Sequence, residues 1–475
     1  MRSPVDFVIE GTVVSMDSDR TNITDGAVAV RADRIVAVGD ARALRDRFEA
    51  ERTLGGRNRF VLPGFVDCHN HLAQALVRDY AMEDLPNIHR IYIPAEKAMD
   101  EEDARVSALV AISQLLRAGV TTVAETTTTA EHEEVIARTI METGIRCAMA
   151  RGKGDRLSRF VPTYHQVNER SSFEDDPGLL REDLQVSADF LRRWTMEGRG
   201  RLRPWLHNQG ITSCSDARYQ ETKALVDTYD TGLMTHINRD REDIELSMSL
   251  FGERPIEHLE RIEVLDRNVL AIHAMLTTDR EIRLLAEHGT KVAHAPVVCT
   301  DLISAVTKVV SMRAAGVIVG LGCDTVINDL LKVMRIAVIM HAASSGTPLY
   351  DPIALTTEDA FSMATIDGAR ALLWEEEIGS LEEGKAADIV VVDGDNVRLA
   401  PAYNPMSTLV RYATGSDVES VLVGGDLVVD GGRLLTIDEA PLLEEASRLG
   451  RKLGEVLLPR RYRPLSKYSE LPSRS

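Results

Sequence analysis

Pro63-Gly64-Phe65-Val66-Asp67-Cys68-His69-Asn70-His71 is a short apolar run that follows a Pro-Gly turn signal and ends in His-x-His. It reads as a strand, and on a strand residues i and i+2 project to the same side. His69 and His71 can therefore offer two imidazoles to one metal ion, provided they stand at a strand end facing a common mouth. The plain alternative is a pair of hydrogen-bonded surface histidines, and the company these residues keep in the fold decides between the two.

Seven further short apolar runs follow, at residues 120–124, 146–150, 204–207, 233–236, 270–273, 291–294 and 318–323. Amphipathic stretches separate them. Asp100 is placed to cap a helix with apolar positions Val106, Leu109, Val110, Ile112 and Leu116, and Gly119 ends it. Thr278-x-x-Glu281 is a capping box for a second helix that stops at Gly289, and a third ends at Gly316. Eight strands alternating with helices over roughly 250 residues predict an α/β fold of the (β/α)8 TIM-barrel type. A doubly wound open sheet is the alternative. In a barrel the C-terminal strand ends form one rim, and His236, His273, His294 and Asp324 each lie where a run stops. His294 reads equally well as a buried histidine satisfied by backbone.

Outside the barrel the pattern is β-rich at both ends. Runs at 7–16, 26–30 and 34–38 are separated by Asp25-Gly26 and bounded by Gly39-Asp40, while runs at 387–392, 418–423 and 427–429 are separated by Asp393-Gly394 and Gly424-Gly425. The expected organisation is a barrel over 61–375, a small β-sandwich domain shared by 1–60 and 376–436, and a C-terminal helix and tail over 437–475.

The 475 residues carry 55 Lys plus Arg against 74 Asp plus Glu, a net charge of -19, which argues against a nucleic-acid partner. No apolar stretch reaches the roughly 18 to 20 residues that span a bilayer, so no membrane contact is expected. Asp6 and Glu10 interrupt what would be the apolar region of a signal peptide, and Cys68, Cys147, Cys214, Cys299 and Cys323 show no CxxC pair. A cytoplasmic protein acting on a small molecule is expected.

These segments together resemble the amidohydrolase superfamily, and within it the triazine hydrolases and aromatic aminohydrolases, including phenylurea and thiocarbamate hydrolases. The resemblance is carried by PGFVDCHNH, by THI at His236, AIHAM at His273, VAHAP at His294, GLGCDT at Asp324 and GSLEEGKAADIVVVD from Gly379 to Asp393. It implies a homo-oligomeric enzyme with one divalent metal ion per chain, zinc first, with iron, manganese or cobalt as alternatives. His69, His71, His236 and Asp324 would hold the metal and a water, His273 would contact that water or the substrate, and Asp324 would move the proton. A nitrogen and oxygen ligand set with an open position suits a Lewis-acidic hydrolytic metal. Binuclear members use a carboxylated lysine from the fourth strand. Here that strand reads Arg203-Pro204-Trp205-Leu206-His207-Asn208-Gln209 and has no lysine, so one metal is expected.

One departure bears on the reaction. The aminohydrolases that this chain resembles carry a glutamate three residues after the fifth-strand histidine, where it protonates the ring. Here His236-Ile237-Asn238-Arg239 places an arginine, which cannot serve as a general acid at neutral pH. The expectation is therefore hydrolysis of a non-peptide C–N bond of amide, urea, carbamate or thiocarbamate type. The alternative is deamination of a purine, pyrimidine or triazine ring, with Glu242 or His273 replacing the missing acid. Expected substrate contacts are His273, Arg239, His207, Gln209 and Arg151; each arginine alternatively covers apolar surface or pairs with a carboxylate. Cys68 and Cys323 flank ligands and are expected to pack. The segment 79–94 lies where a lid over the mouth would sit.

Overall fold

The computed structural model describes residues 2–81, 88–127, 129–159, 172–303 and 305–457. The eight runs form one parallel sheet in chain order: Phe65–Asn70, Val120–Thr126, Arg146–Arg151, Leu202–Asn208, Leu233–Ile237, Val269–His273, Lys291–His294 and Val319–Leu321. The first and eighth strands then meet. Asp324 N–H donates to His69 O at 2.8 Å, and Cys323 N–H donates to Asp67 Oδ1 at 2.9 Å. A Cβ on Gly320 would lie 2.3 Å from Cys68 Sγ, so this approach requires glycine. The sheet is thus a nearly closed barrel, and the open-sheet alternative does not hold. The eighth strand is shorter than its apolar run because residues 322–324 leave the ladder: Gly322 N–H bonds His294 O, and Cys323 and Asp324 reach across to the first strand.

Inside, Val66, Cys68, Ala124, Ala148, Ala150, Trp205, Met234, Leu270, Ile272 and Ala293 form one buried cluster with Leu372 and Trp374. Small residues on some strands leave room for Trp205 and Met234 on others, which is how a narrow barrel fills without voids. The helices outside start and stop on local signals. Asp100 and Asp103 form a reciprocal capping box at the start of Glu101–Arg117, and Gly119, at φ +83°, turns the chain into the second strand. Thr278 and Glu281 do the same for Asp279–His288, which closes on Gly289 at φ +68°.

Both termini contribute to a second sheet of eight strands. From one edge to the other these are Arg433–Leu434, Asp426–Asp430, Val418–Val423, Ile389–Asp393, Phe48–Pro63, Ser3–Val14, Asn22–Arg31 and Arg34–Asp40. Phe48–Pro63 joins the two halves, running parallel to the first strand (Val8 opposite Thr53) and antiparallel to Ile389–Asp393 (Val61 opposite Val391). Its sequence, FEAERTLGGRNRFVLP, is too charged and glycine-broken to read as a strand, and hydrogen bonding from both neighbours imposes the conformation. It runs through Gly64 directly into the first barrel strand, so the terminal sheet anchors the strand that carries His69.

A buried ion pair ties sheet to barrel. Arg146 Nε meets Asp388 Oδ2 at 2.8 Å, Arg146 Nη1 donates to Gly200 O, and Asp388 Oδ1 accepts from Gly424 N–H. Removing one partner strands the other charge, so Arg146→Ala is expected to lower unfolding free energy by about 3–5 kcal/mol. Urea denaturation of the variant measures this directly.

Candidate metal centre

The rim gathers five of the expected residues. The His69 ring centroid lies 4.7 Å from that of His71, 5.0 Å from His236 and 5.2 Å from His273. Asp324 Oδ2 stands 3.3 Å from His69 Nε2 and 3.7 Å from His273 Nε2. Two overlapping triads, His69 with His236 and His273, and His69 with His71 and Asp324, each keep their ligand atoms within 4.8 Å of one another. All five side chains are buried. Three of the strand ends carry left-handed backbone, at Asn238 (φ +48°), His273 (φ +71°) and Asp324 (φ +55°). Such strain gathers at functional sites, where surrounding structure holds a side chain off its relaxed direction.

The ring orientations favour a cation. His71 Nδ1 lies 2.5 Å from the carbonyl oxygen of Thr126, so Nδ1 carries the proton and Nε2 keeps its lone pair. His207 Nε2 lies 3.1 Å from His236 Nδ1 and holds that ring from behind in the same way. His69 Nε2 is buried and has no hydrogen-bond partner among the described residues. A bare lone pair facing imidazoles and a carboxylate is what a divalent cation would satisfy, so the residues present fit a metal.

The electrostatics agree. Burial, reinforced by the neighbouring His69, pushes His71 down to about 4 and His273 down to about 3, and burial also holds His236 and His207 well below the usual imidazole range. Burial alone would raise Asp324, but His69, His71 and His273 outweigh it and keep the carboxylate ionised. Neutral His71 and His236 and an ionised Asp324 are the protonation states in which these side chains bind a metal.

Of the other expected residues, His207 is part of the centre as the partner of His236. Gln209 lies just beyond the fourth strand, half-buried. Arg151 is not brought to the centre with its donors free. Its Nε pairs with Glu133 at 2.6 Å, Nη2 with Asp183 at 2.9 Å and Nη1 with Ser187 Oγ at 2.7 Å, so its role is internal bracing. Arg239 is buried at the rim, where it pairs with Asp240 at 2.9 Å and approaches Asp243 at 3.8 Å. His294 Nε2 is engaged by another side chain, with His341 Nε2 at 3.2 Å. Cys68 and Cys323 are fully buried, and burial pushes both thiols well above the usual range, which makes them packing residues. The segment 79–94, where a lid was expected, falls partly on residues 82–87, outside the described residues. Its later part is seated, with Tyr92 Oη 3.0 Å from Thr325 Oγ1, next to Asp324.

Several supporting residues gave no sequence signal. Asp67 accepts from the N–H of His69 and Cys323 and from Asn70 Nδ2, and Asn70 also donates to Asn328 Oδ1, so the strand between the two histidines is pinned from the eighth strand's loop. Burial pushes the Asp67 carboxyl up to about 6. Thr126 and His341 likewise act through partners distant in sequence, and no local pattern marks them.

A model of the amidohydrolase family matches residues 60–428. The chain belongs to the amidohydrolase family. It is a hydrolase acting on C–N bonds other than peptide bonds. It is 34% identical to a 5-methylthioadenosine/S-adenosylhomocysteine deaminase of Desulforudis audaxviator, over 90% of this chain and 95% of the relative. A 5'-deoxyadenosine deaminase of Methanopyrus kandleri is 29% identical over 91% of this chain and 96% of its own length. Among solved structures, a zinc-bound adenosine deaminase from Xanthomonas campestris superposes with a TM-score of 0.85 at 26% identity, covering 96% of this chain and all 100% of that one. A zinc-complexed atrazine chlorohydrolase from Arthrobacter aurescens shares the fold, with a TM-score of 0.81 at 22% identity over 94% of this chain and 100% of that one. Among the described residues no helix is long and apolar enough to cross a membrane.

Proposed function

We propose that this amidohydrolase cleaves the C–N bond of an amide, urea, carbamate or thiocarbamate of a small molecule, using one divalent cation, zinc first, held by His69, His71, His236 and Asp324. The observation that carries the choice is Arg239, a donor-only guanidinium locked by Asp240 and Asp243 at the position where ring-deaminating relatives of this type have an acid. Protonating a heteroaromatic ring nitrogen uses an acid at that position in those relatives; expelling an amine from an acyl carbon needs a proton only at the leaving nitrogen, which a group elsewhere on the rim can deliver.

The metal, when bound, supplies Lewis-acid charge that makes water nucleophilic at neutral pH. Asp324, ionised and 3.7 Å from His273, is placed to accept a proton from the attacking water. His273 is neutral, and its Nδ1 has no partner among the described residues. It can donate a hydrogen bond to the carbonyl oxygen as charge develops there. His207 keeps His236 oriented, and Arg239 presents the substrate with a fixed cation. The five cysteines are free and buried, which accords with a reducing cytoplasm.

A second reading, deamination of an adenine nucleoside, is favoured by the 34% identical relative. One screen separates the two: metal-loaded enzyme with anilides, phenylureas, carbamates and thiocarbamates in one arm, and 5-methylthioadenosine and S-adenosylhomocysteine in the other. Amine release without ammonia is the expected result. Ammonia from the nucleosides, with no turnover in the first arm, refutes the acyl reading.

A further inference from the structure

The helix Arg241–Phe251 starts four residues after the strand that carries His236, so its first turn stands at the barrel mouth. Its inward face is Glu242, Asp243, Leu246 and Ser247. Leu246 packs into the core around the barrel, and Glu242 lies one turn nearer the rim. Glu242 is only 7% exposed, and neither of its carboxyl oxygens has a hydrogen-bond partner among the described residues. An ionised carboxylate buried without a partner is strongly disfavoured, so such a group keeps its proton or awaits a ligand.

The surrounding charges explain its isolation. Arg239 is the cation that most stabilises a charge on Glu242, but its Nε is taken by Asp240, its backbone N–H by Asp243 and its Nη2 leans on Asp243. Asp240 also caps the helix through Asp243 N–H, and Arg241 is paired with Glu245. Asp240, Glu242 and Asp243 thus compete for one guanidinium, and the two aspartates hold it. Burial, opposed by Arg239 but helped by Asp240, Asp243 and Glu245, pushes Glu242 up to about 8. Ala274 N–H bonds Ile237 O and Met275 N–H bonds Asn238 O, each at 3.1 Å, which sets this turn beside the strand end that carries His273.

We infer that Glu242 is the proton donor to the leaving nitrogen, an assignment that rests on the C–N hydrolase reading above. In R–CO–NH–R′ the water oxygen forms the new bond to carbon and gives one proton to Asp324. The C–N bond breaks with its electron pair going to nitrogen, which takes the proton of the Glu242 carboxyl. The proton held by Asp324 returns to Glu242 through solvent, so each turnover consumes one water and nothing else.

The test compares wild type, Glu242→Gln and Glu242→Asp, all metal-loaded, on carbamates and anilides whose leaving amines rise in basicity. Glu242→Gln is expected to lose about 10²- to 10⁴-fold in kcat on the most basic amines and progressively less on weakly basic ones. Glu242→Asp should recover part of the loss, and the basic limb of the wild-type pH profile should disappear in the glutamine variant. A loss independent of leaving-group basicity, or no loss, overturns the assignment. Isotope-edited infrared spectroscopy of the resting protein gives an answer that does not depend on substrate. A protonated carboxyl band at pH 7 that vanishes in Glu242→Gln is expected, and an ionised Glu242 overturns the inference. If wild type turns over none of the acyl substrates, the functional reading fails, and the infrared result alone decides Glu242.

Discussion

His69→Ala is expected to lose the metal and catalysis together. His69 is the one side chain common to both ligand triads, and its buried Nε2 has no hydrogen-bond partner among the described residues. Even residues that only orient a ligand cost about 10- to 100-fold in metal affinity when removed, so loss of a ligand at the middle of the cluster should exceed that range. Metal analysis of the purified variant should therefore give a stoichiometry near zero where wild type gives a stoichiometry near unity. Stability provides a second readout. A cation present at a thousand times its dissociation constant stabilises the folded chain by about 4 kcal/mol, so chelation should lower the wild-type Tm and leave the variant's unchanged. A wild-type protein without metal as isolated, whose Tm ignores chelator, would refute the centre.

The residues of this centre were legible because each stands where a recognisable strand stops. His69, His236 and His273 end apolar runs of strand length, and barrel geometry brings such ends together whatever their separation in sequence. Asp324 was legible for the same reason, although its strand stops at Leu321 and the side chain is delivered by a turn that hydrogen-bonds to the first strand. What sequence could not show were pairings made across the fold. Arg151 looks like a mouth residue from its place after the third strand, yet Glu133 and Asp183, arriving from two different helices, claim its donors. His294 looks like its neighbours on the rim, and only the helix Leu330–His341 reveals that His341 occupies its Nε2. The strand Phe48–Pro63 was invisible because its conformation comes from two flanking strands and owes little to its own composition. Glu242 illustrates a different limit: a helix-start glutamate is ordinarily a solvated charge favoured by the helix dipole, and the prior claims of Asp240 and Asp243 on Arg239 leave it buried with no hydrogen-bond partner among the described residues.

Asp324→Asn separates holding the metal from moving the proton. The carboxylate is surrounded by His69, His71 and His273, which keep it ionised despite burial, so near neutral pH it is available as an acceptor. The amide keeps size and one oxygen, and can still lie near His69, but it cannot take a proton from water. With the imidazoles intact, the variant should retain metal after loading while kcat falls by about 10²- to 10⁴-fold, the usual scale for a lost general base. KM should change little, because Asp324 acts on water and the substrate is held elsewhere on the rim. Since the wild-type carboxylate is ionised far below neutrality, the variant should lose activity uniformly across neutral pH, without a shifted optimum. Retained turnover in a fully metallated Asp324→Asn would show that another group takes the proton, and a variant that cannot be loaded with metal would show that the imidazoles do not hold the ion without the Asp324 carboxylate.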